Sequence, residues 1–571
     1  MVRKASTDLT ADDTPRVTKR HRTEDSTSTT EGILRDGLLA DSARQTYRET
    51  FAASKPYLHC VMNELCNDNL LRKVRAEIMS ALHFTVKETD IYKVHQTGDL
   101  ANMDGLPAEE LSQLSSLFKL RNALYSAEFR SFLADITGCG PLSGSKTDMS
   151  INTYLNGCHL LNHDDVIGSR RVSYILYLPD PDEPWPAHYG GALELYPVVT
   201  KGTPAVSPTV SIPPQWNQFV MFTVQPGHSF HSVEEVVVDK ARLSISGWFH
   251  IPQEGEPGYT PEREEGEATA SLDQLQEGIT APFLPYSEEE DADMSKALEG
   301  LSEDDISTLS RWLNPMYLNI KLLQQVSDKF LEESSIQLVD FLKKDLVEKI
   351  KTAVIKEDKD CGLDEPEIPP HGVGEHGSWM VAGPPHKLRY AMLDPTDAAA
   401  PRTDDTESAK LFAELAKDLF PSPAFRRWLA LITQLVPRSR RGIARRFRPG
   451  LDYTLAWSSP DRLLDATLCF GTRINEEADD DAWNSDEVGG YEAYMAPHDG
   501  EEDAAVYKQM DDDGALLTVS AGWNVLTLVL RDEGLMRFIK YVSASAPGSR
   551  WDVAYEYEIP AAEDEDDDDD E

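Results

Sequence analysis

The sequence is poor in cysteine and contains no long apolar run. Its six cysteines are scattered over 571 residues and form no Cys-x-x-Cys pair, which argues against a disulfide scaffold and a structural zinc site. No apolar stretch reaches the ~18 residues that a transmembrane helix needs, and the first residues lack the apolar core of a secretion signal. We therefore expect reduced thiols and a location in the nucleus and cytoplasm.

Basic residues are the other scarce class. The chain has 55 Lys and Arg against 99 Asp and Glu, a formal net charge of −44. Such a chain repels phosphate backbones and anionic lipid surfaces, so neither nucleic acid nor membrane is expected as a direct partner. The same charge disfavours a nucleic-acid demethylase and favours a basic protein or peptide as the substrate.

The length predicts two or more domains. Residues 1–30 are polar and carry a short basic run, Lys19 to Arg22, which is either a solvated tail or a weak nuclear-import signal. Composition and periodicity divide the chain into seven segments: a disordered tail (1–30), a catalytic domain (31–254), an acidic linker (255–300), a helical connector (301–356), a second linker (357–376), a second β domain (377–560) and an acidic tail (561–571).

Hydrophobic periodicity changes near residue 150. Before it, Leu71, Val74 and Ile78 recur at helical spacing and predict an amphipathic helix. After it, the alternation around Val172 and Tyr174, with frequent Pro and Gly turns, is typical of short strands. The chain is thus predicted to be mainly β with flanking helices, its strands forming a sandwich or barrel.

Three residues on these strands predict a metal centre. His163 and Asp165 are two residues apart and therefore share one face of a strand or of its exit turn, and His231 follows on a later strand. Two imidazoles and one carboxylate leave positions open and suit non-haem Fe(II). Asp164 is the rival ligand, but it points to the other face and is expected to be solvated.

Arg242 predicts a carboxylate site beside the metal. It begins an apolar strand, where an unpaired guanidinium would be costly, and its planar fork suits a bound dicarboxylate such as 2-oxoglutarate. Ser244 shares its strand face and is a further candidate for binding the co-substrate. Tyr154 and Tyr177, on flanking strands, are either core rings with a solvated hydroxyl or donors to the co-substrate carboxylate.

The second β segment repeats the first. Four pairs of matching residues occur in the same order in both halves: Gly157 and Gly450, Gly190 and Gly489, Trp216 and Trp523, Phe230 and Phe538. This alignment puts Ala456, Ser458 and Ile539 opposite the three candidate ligands, so the second copy is predicted to lack a metal site. The basic cluster from Arg438 to Arg448 is predicted to pair internally with carboxylates or to form a docking surface, with a phosphate patch as the alternative.

Several segments together resemble the ribosomal prolyl hydroxylases, a eukaryotic family of Fe(II)/2-oxoglutarate oxygenases. The resemblance covers nearly the whole chain, and the segments that carry it are 93–100, 161–165, 170–178, 190–196, 229–236, 312–315 and 446–455.

The resemblance implies two tandem double-stranded β-helix domains of the jelly-roll or cupin type, the second without metal ligands. It implies a prolyl 3-hydroxylase or 3,4-dihydroxylase that modifies a small-subunit ribosomal protein and affects translation accuracy and termination. Fe(II), 2-oxoglutarate, O2 and supporting ascorbate are the implied cofactors. Further implied partners are translation-termination and transcription-regulatory proteins.

Site roles also follow from the resemblance. His163, Asp165 and His231 correspond to the iron ligands, and Arg242 to the anchor of the distal 2-oxoglutarate carboxylate, assisted by Tyr154 and Tyr177. Two alternatives stay open from the sequence. One is a hydroxylase of lysine, of a small molecule or of another protein. The other is an oxygen- or iron-sensing protein that regulates a transcription factor by binding.

Overall fold

The structure of the chain is a computed structural model, which describes residues 29–100, 103–261, 281–365, 367–393, 402–475, 481–496 and 515–560. The predicted tail 1–30 lies outside these ranges except for its last two residues. The acidic tail 561–571 and residues 262–280 of the predicted linker 255–300 also lie outside them. No helix within the described ranges is long and apolar enough to cross a membrane.

A layer of helices covers one side of the first half. Asn67 accepts a hydrogen bond from the amide of Leu70 and begins α2, whose buried residues are Leu71, Val74 and Ile78, the predicted face. The helices of this layer are α1 Asp41–Ala53, α2 Asp68–Ala81, α3 Ala108–Gln113, α4 Ser115–Leu124 and α5 Ala127–Thr137.

Eleven strands of the first half form one curled antiparallel sheet. Its order is β1-β11-β6-β13-β4-β3-β5-β12-β7-β10, with β2 paired to β3, while β8 and β9 pair separately. The strands are β1 His59–Met62, β2 Thr85–Glu88, β3 Tyr92–Gln96, β4 Thr147–Tyr154, β5 His159–His163, β6 Arg170–Tyr177, β7 Leu193–Leu195, β8 Val198–Thr200, β9 Thr203–Pro204, β10 Val210–Ile212, β11 Phe219–Thr223, β12 His231–Val233 and β13 Arg242–His250.

Strand β13 shows how the two faces of this sheet differ. Leu243 and Ile245 are fully buried in the core that the helices form with the sheet. Arg242, Ser244 and Ser246, the alternate residues, line a cavity on the other face. Since successive side chains of a strand point to opposite faces, one pattern serves both the core and a polar cavity wall.

A second curled antiparallel sheet of twelve strands follows, in the order β15-β23-β20-β25-β18-β17-β19-β24-β21-β22, with β14 on β18 and β16 on β17. The predicted architecture, mainly β with flanking helices, is thereby confirmed. The helices are α6 Glu288–Asp293, α7 Glu303–Leu309, α8 Ile320–Glu333, α9 Lys344–Asp360, α10 Glu407–Glu414 and α11 Pro423–Thr433. The strands are β14 Leu284–Pro285, β15 Ser335–Leu338, β16 Trp379–Ala382, β17 Leu388–Leu393, β18 Ser439–Phe447, β19 Tyr453–Ser458, β20 Leu463–Gly471, β21 Glu492–Met495, β22 Ala515–Val519, β23 Trp523–Arg531, β24 Met536–Ile539 and β25 Arg550–Glu558.

Residues 301–356, predicted as a helical connector, contribute to the second half itself. Their strand β15 pairs with β23, as β1 pairs with β11 in the first half. Leu309, Phe330 and Ile350 from this segment are buried in one core with Trp551 of β25. The segment is integrated into the second half because its apolar helical faces pack on that sheet.

Two asparagines demonstrate the duplication at the atomic level. Asn217 and Asn524 both have positive φ, 61° and 56°. The carboxamide of Asn217 bonds to the backbone N and O of Cys66 at 2.9 and 2.8 Å. That of Asn524 bonds to the same two groups of Leu342 at 2.9 and 3.2 Å. In both halves this asparagine therefore joins the sheet to the segment that precedes it.

The pairing register corrects the predicted alignment of the metal site. His163 lies opposite His231 in the first sheet, and Trp457 lies opposite Arg537 in the second. The predicted counterparts of the two histidines, Ala456 and Ile539, are therefore wrong by one and two residues.

A difference in turn length causes the one-residue shift at His163. Tyr453 holds the strand position of His159, since each pairs with the hairpin strand beside it. Tyr453 lies three positions after Gly450, but His159 lies only two positions after Gly157. The second-half counterpart of Asp165 shifts by the same one residue, from the predicted Ser458 to the residue that follows it. Neither tryptophan nor arginine can replace a histidine ligand, so the second site lacks metal ligands in either alignment.

Buried ion pairs fill the corresponding space of the second sheet. Arg531 bonds to Asp465 at 3.2 Å and Arg550 to Asp552 at 3.3 Å, and Arg537 pairs with Glu492. The predicted internal pairing of the basic cluster is confirmed for Arg441 with Glu556 (2.5 Å), Arg445 with Asp552 (2.8 Å), Arg446 with Asp358 (2.8 Å) and Arg448 with Asp452 (2.7 Å).

Candidate active site

Strand pairing brings the three predicted ligands together. His163 ends β5, His231 begins β12, and the two residues are direct partners in the antiparallel ladder. Asp165 lies two residues beyond His163 with a φ of 60°. Its carboxylate oxygens lie 3.3 Å from Nε2 of His163 and 3.5 Å from Nε2 of His231. Within the described residues this is the one group of three or more His, Cys, Asp or Glu side chains close enough to hold a metal ion.

Both imidazoles are oriented by the backbone. Nδ1 of His163 lies 2.9 Å from the carbonyl oxygen of Leu161, and Nδ1 of His231 lies 3.0 Å from that of Ser229. A carbonyl oxygen only accepts, so each Nδ1 donates a proton and each Nε2 of the neutral ring is left with a lone pair. Both lone pairs are therefore available on the side where Asp165 lies, as metal ligation requires.

The neighbours of Asp165 have different roles. The indole Nε1 of Trp248 donates to its Oδ2 at 3.2 Å. The prediction that Asp164 is solvated is wrong, because its side chain is buried. It accepts hydrogen bonds from the backbone amides of Gly227 (3.1 Å) and Val166 (3.3 Å). It joins the turn after β5 to the turn before β12, a long-range contact that local periodicity does not reveal.

The three groups influence each other's titration. Burial would raise the pKa of Asp165, but the positive charges of His231 and His163 and the hydrogen bond with His163 outweigh it and hold this pKa well below its usual range. Burial and the charge of His163 lower the pKa of His231 to about 4. Burial opposes protonation of His163 as well, yet its hydrogen bond with Asp165 and the charge of that carboxylate raise its pKa above the ordinary value.

Arg242 is buried among aromatic rings. Its Nε donates to the carbonyl oxygen of Gly191 at 2.5 Å, and its guanidinium carbon lies 4.7 Å from the ring centre of Tyr154 and 4.9 Å from that of Tyr177. The Tyr177 hydroxyl is 3.5 Å from a terminal nitrogen. Among the described residues the partners of this guanidinium are a carbonyl oxygen, a hydroxyl and two rings, with no carboxylate within salt-bridge distance. A side chain on Gly191 would collide with it, since an added Cβ would lie 2.8 Å from Cδ of Arg242.

The triad and Arg242 share one cavity of about 640 Å³. Ser244 and Tyr154, both predicted to bind the co-substrate, line it, whereas Tyr177 lies behind Arg242 and is fully buried. The cavity therefore has metal-ligating groups on one wall and an uncompensated cation on another, an arrangement that suits an anionic ligand reaching from the metal.

Sequence reasoning missed other cavity residues. Trp248 contacts the triad aspartate, and Arg170 stacks on its indole ring at 3.6 Å. Asn152 donates to Ser246 at 2.7 Å and accepts from Gln96 at 2.8 Å. The alternation that links Arg242 to Ser244 continues to Ser246 and Trp248, so it could have predicted these two residues. Gln96, Asn152 and Arg170 lie on other strands.

Two family models match the chain. Residues 149–250 match the 2OG-Fe(II) oxygenase superfamily, which has the predicted double-stranded β-helix fold. Residues 304–567 match the C-terminal region described as "Oxoglutarate and iron-dependent oxygenase degradation C-term". The second match begins within the helices that pack on the second sheet.

Curated relatives align along most of the chain. "Prolyl 3,4-dihydroxylase OGFOD1" of Ostreococcus tauri is 38% identical over 511 residues, which is 88% of this chain and 95% of the relative. "Prolyl 3-hydroxylase OGFOD1" of Xenopus laevis is 28% identical over 92% of this chain and 94% of its own length. A crystal structure of a Pseudomonas putida prolyl-4-hydroxylase is 22% identical with a TM-score of 0.25, covering 36% of this chain and 98% of that one.

Proposed function

Since the chain belongs to the OGFOD1 prolyl hydroxylase family, we propose that it hydroxylates a prolyl residue of a small-subunit ribosomal protein. The enzyme is a prolyl hydroxylase of the 2OG-Fe(II) oxygenase type, and Fe(II), 2-oxoglutarate and O2 are its cofactors. The ribosomal substrate, the residue roles, the need for ascorbate and the location in nucleus and cytoplasm belong to the proposal.

One observation carries the assignment of roles: a triad of two imidazoles and a carboxylate shares a cavity with a buried arginine that lacks a carboxylate partner. His163, Asp165 and His231 would hold Fe(II), because both Nε2 atoms and the carboxylate converge within 4.8 Å. Arg242 would hold the distal carboxylate of 2-oxoglutarate, with Tyr154 and Ser244 lining the same space.

When bound, iron, 2-oxoglutarate and O2 together supply the oxidising power that replaces a C–H bond of the prolyl ring by C–OH, with succinate and CO2 as co-products. The protein supplies orientation. The carbonyl oxygens of Leu161 and Ser229 hold each imidazole in the tautomer that ligates through Nε2. Trp248 donates to Asp165 and so keeps one carboxylate oxygen directed at the indole.

The surroundings of Arg242 favour a bound anion. Arg242 is 1% exposed, and its guanidinium carbon lies 4.7 Å from the ring centre of Tyr154 and 4.9 Å from that of Tyr177. These rings exclude water and leave the outer edge of the fork to a ligand. A carboxylate arriving there replaces lost hydration with charge-assisted hydrogen bonds in a setting of low effective dielectric.

The charge of the chain supports a basic substrate. Ribosomal proteins are strongly basic, and a net charge of −44 should accelerate their encounter with the enzyme at low salt. The names of the relatives, a 3-hydroxylase and a 3,4-dihydroxylase, support oxidation of a proline ring at C3 and C4.

The test is hydroxylation of peptides that tile the small-subunit ribosomal proteins, with Fe(II) and 2-oxoglutarate present. We expect one peptide to gain the mass of one or two oxygen atoms on proline, with the carbon assigned by NMR. An Asp165→Ala variant is the matched control and should give no product. If wild-type enzyme consumes 2-oxoglutarate but modifies none of these peptides, the ribosomal substrate is wrong although the enzyme class stands.

A further inference from the structure

One wall of the active-site cavity is the β2–β3 hairpin, whose outer strand β2 pairs with β3 alone among the described strands. Strand β2 pairs with β3 through residues 85–88 and 93–96, and three of its four residues are exposed. Lys87, Glu88 and Thr89 from this hairpin line the cavity. Strand β3 is held in the sheet by β4 and β5, whereas β2 is paired on one side only, so the position of β2 and of the hairpin tip depends in part on what else contacts the tip.

The second half holds that tip through a buried lysine. Nζ of Lys540, which is 2% exposed, donates to the carbonyl oxygen of Thr89 and lies 3.0 Å from Oε1 of Glu88. Next to it, the carboxylate of Asp90 accepts a hydrogen bond from the amide of Ala456 at 3.0 Å. The tip therefore has one cation and one backbone amide of the second sheet as partners.

The duplicated fold shows which position of the first half corresponds to Lys540. Lys540 directly follows β24, the strand that corresponds to the His231-bearing strand β12 of the first half. The same strand position in the first half is occupied by Glu234 (His231 + 3, as Lys540 is Arg537 + 3). The copy that lacks metal ligands thus presents, at the end of the equivalent strand, a cation that reaches the cavity wall of the other copy.

We propose that the metal-free half positions the substrate-binding wall of the catalytic half, with Lys540 as the positioning residue. The second half is then a fixed support for the 85–91 hairpin, and the width of the cavity on that side depends on it. This inference rests on the proposed function only in taking the cavity as the place where the prolyl peptide binds.

Lys540 touches neither the triad nor Arg242, which makes the effect specific. The contacts of His163, His231 and Arg242 all come from the first half. Loss of Lys540 should therefore loosen the wall without altering the groups proposed for iron and 2-oxoglutarate. Peptide affinity and co-substrate affinity should respond differently.

The experiment compares Lys540→Met with Arg531→Met in the full chain. Arg531 is an equally buried cation of the same half, but its partners Asp465 and Glu556 are within the second sheet. Lys540→Met should raise the KM for the peptide by about tenfold or more and leave kcat and the KM for 2-oxoglutarate within about twofold. Lys540→Arg should restore most of the loss, and Arg531→Met should lower Tm without this KM pattern.

Amide hydrogen exchange gives a readout that needs no substrate. In Lys540→Met, exchange should accelerate at residues 85–91 and not along β5 or β12. Asp90→Ala removes the second contact of the tip and should give the same local exchange pattern. If Lys540→Met does not fold, the exchange pattern of Asp90→Ala tests the proposal in its place. An unchanged peptide KM with unchanged exchange, or acceleration spread over both halves as in Arg531→Met, would overturn the proposal. If the wild type hydroxylates no ribosomal peptide, the proposed substrate is wrong. The exchange pattern still tests whether the second half holds the hairpin in place.

Discussion

Arg537 occupies in the second sheet the position that His231 occupies in the first. His231 begins β12 and pairs with His163, and Arg537 is the second residue of β24 and pairs with Trp457. In one half the pair leaves a metal-binding face open to a cavity. In the other half the arginine forms ion pairs with Glu492 and with acidic side chains of the same sheet interior. One fold thus supports a reactive site and a filled interior.

The first prediction concerns metal stoichiometry. His231→Ala should lower the affinity for Mn(II), a redox-inert substitute for Fe(II), by more than about 100-fold, because one of only three ligands is lost. Arg537→Ala should leave one Mn(II) site of unchanged affinity and destabilise the chain by about 3–5 kcal/mol, since it removes a buried cation that pairs with both Glu492 and Asp465. Calorimetric titration and thermal unfolding measure the two effects, and a second Mn(II) bound by the wild type would contradict the assignment.

The second prediction concerns the co-substrate. Arg242→Lys keeps the charge but loses the planar fork, so the KM for 2-oxoglutarate should rise by about tenfold or more. Arg550→Lys is the matched change on β25, which corresponds to β13 because each is paired on both sides in its sheet, and it should alter this KM by less than about twofold. Initial rates at varied 2-oxoglutarate decide, and equal effects of the two substitutions would remove Arg242 from the co-substrate site.

The third prediction concerns the glycine beneath the arginine. Gly191 has a φ of 73°, and an added Cβ would lie 2.8 Å from Cδ of Arg242. Gly191→Ala should therefore cost about 1–3 kcal/mol of stability and also displace Arg242, raising the KM for 2-oxoglutarate.

Gly490→Ala is the control for that change, because Gly490 has a φ of 69° and its added Cβ would meet the Trp483 ring at 2.7 Å. It should reduce stability to a similar degree without changing the KM for 2-oxoglutarate. Thermal unfolding and initial rates of both variants provide the comparison. A raised KM in Gly490→Ala would show that backbone strain alone explains the first result.

The fourth prediction concerns pH. The pKa of His163 is raised in the metal-free chain, so below that pKa the ring must lose a proton before it can bind metal. Mn(II) affinity should rise by up to about tenfold per pH unit until the pH passes this pKa, and then level off. His231, with a pKa lowered to about 4, adds no further dependence above pH 5.

The stability of the metal-free chain should change in the opposite sense. A raised pKa in the folded state stabilises the fold below the unfolded pKa of histidine, near 6.5. That stabilisation is lost as the pH rises through the folded pKa of His163. His163 should therefore contribute a fall in Tm of the metal-free chain on going upward from pH 6.5, and the fall should be smaller in His163→Ala, where Glu234, with its pKa raised to about 8 by burial, still contributes. A metal affinity that is flat from pH 6 to 8 would contradict the raised pKa.

The ligand set could be predicted because it depends on local rules. Alternation along a strand puts His163 and Asp165 on one side and links Arg242 to Ser244, and the chemistry of these residue types points to iron and a carboxylate. Burial of Asp164 could not be predicted in this way, since its partner Gly227 is distant in the sequence. The predicted counterpart of His163 failed because one extra residue before Tyr453 moves it from Ala456 to Trp457, and strand pairing alone reveals this.

The sequence alone determined which residues can do chemistry: two imidazoles, a carboxylate and a guanidinium at strand spacing in one half, with none of the ligands in the other. Only the tertiary structure decided how the halves cooperate. Pairing of β5 with β12 sets the distance between the imidazoles, and packing of the second sheet places Lys540 at the hairpin tip. Both depend on contacts between residues far apart in the chain, whose geometry is set by sheet register and domain packing and not by local periodicity.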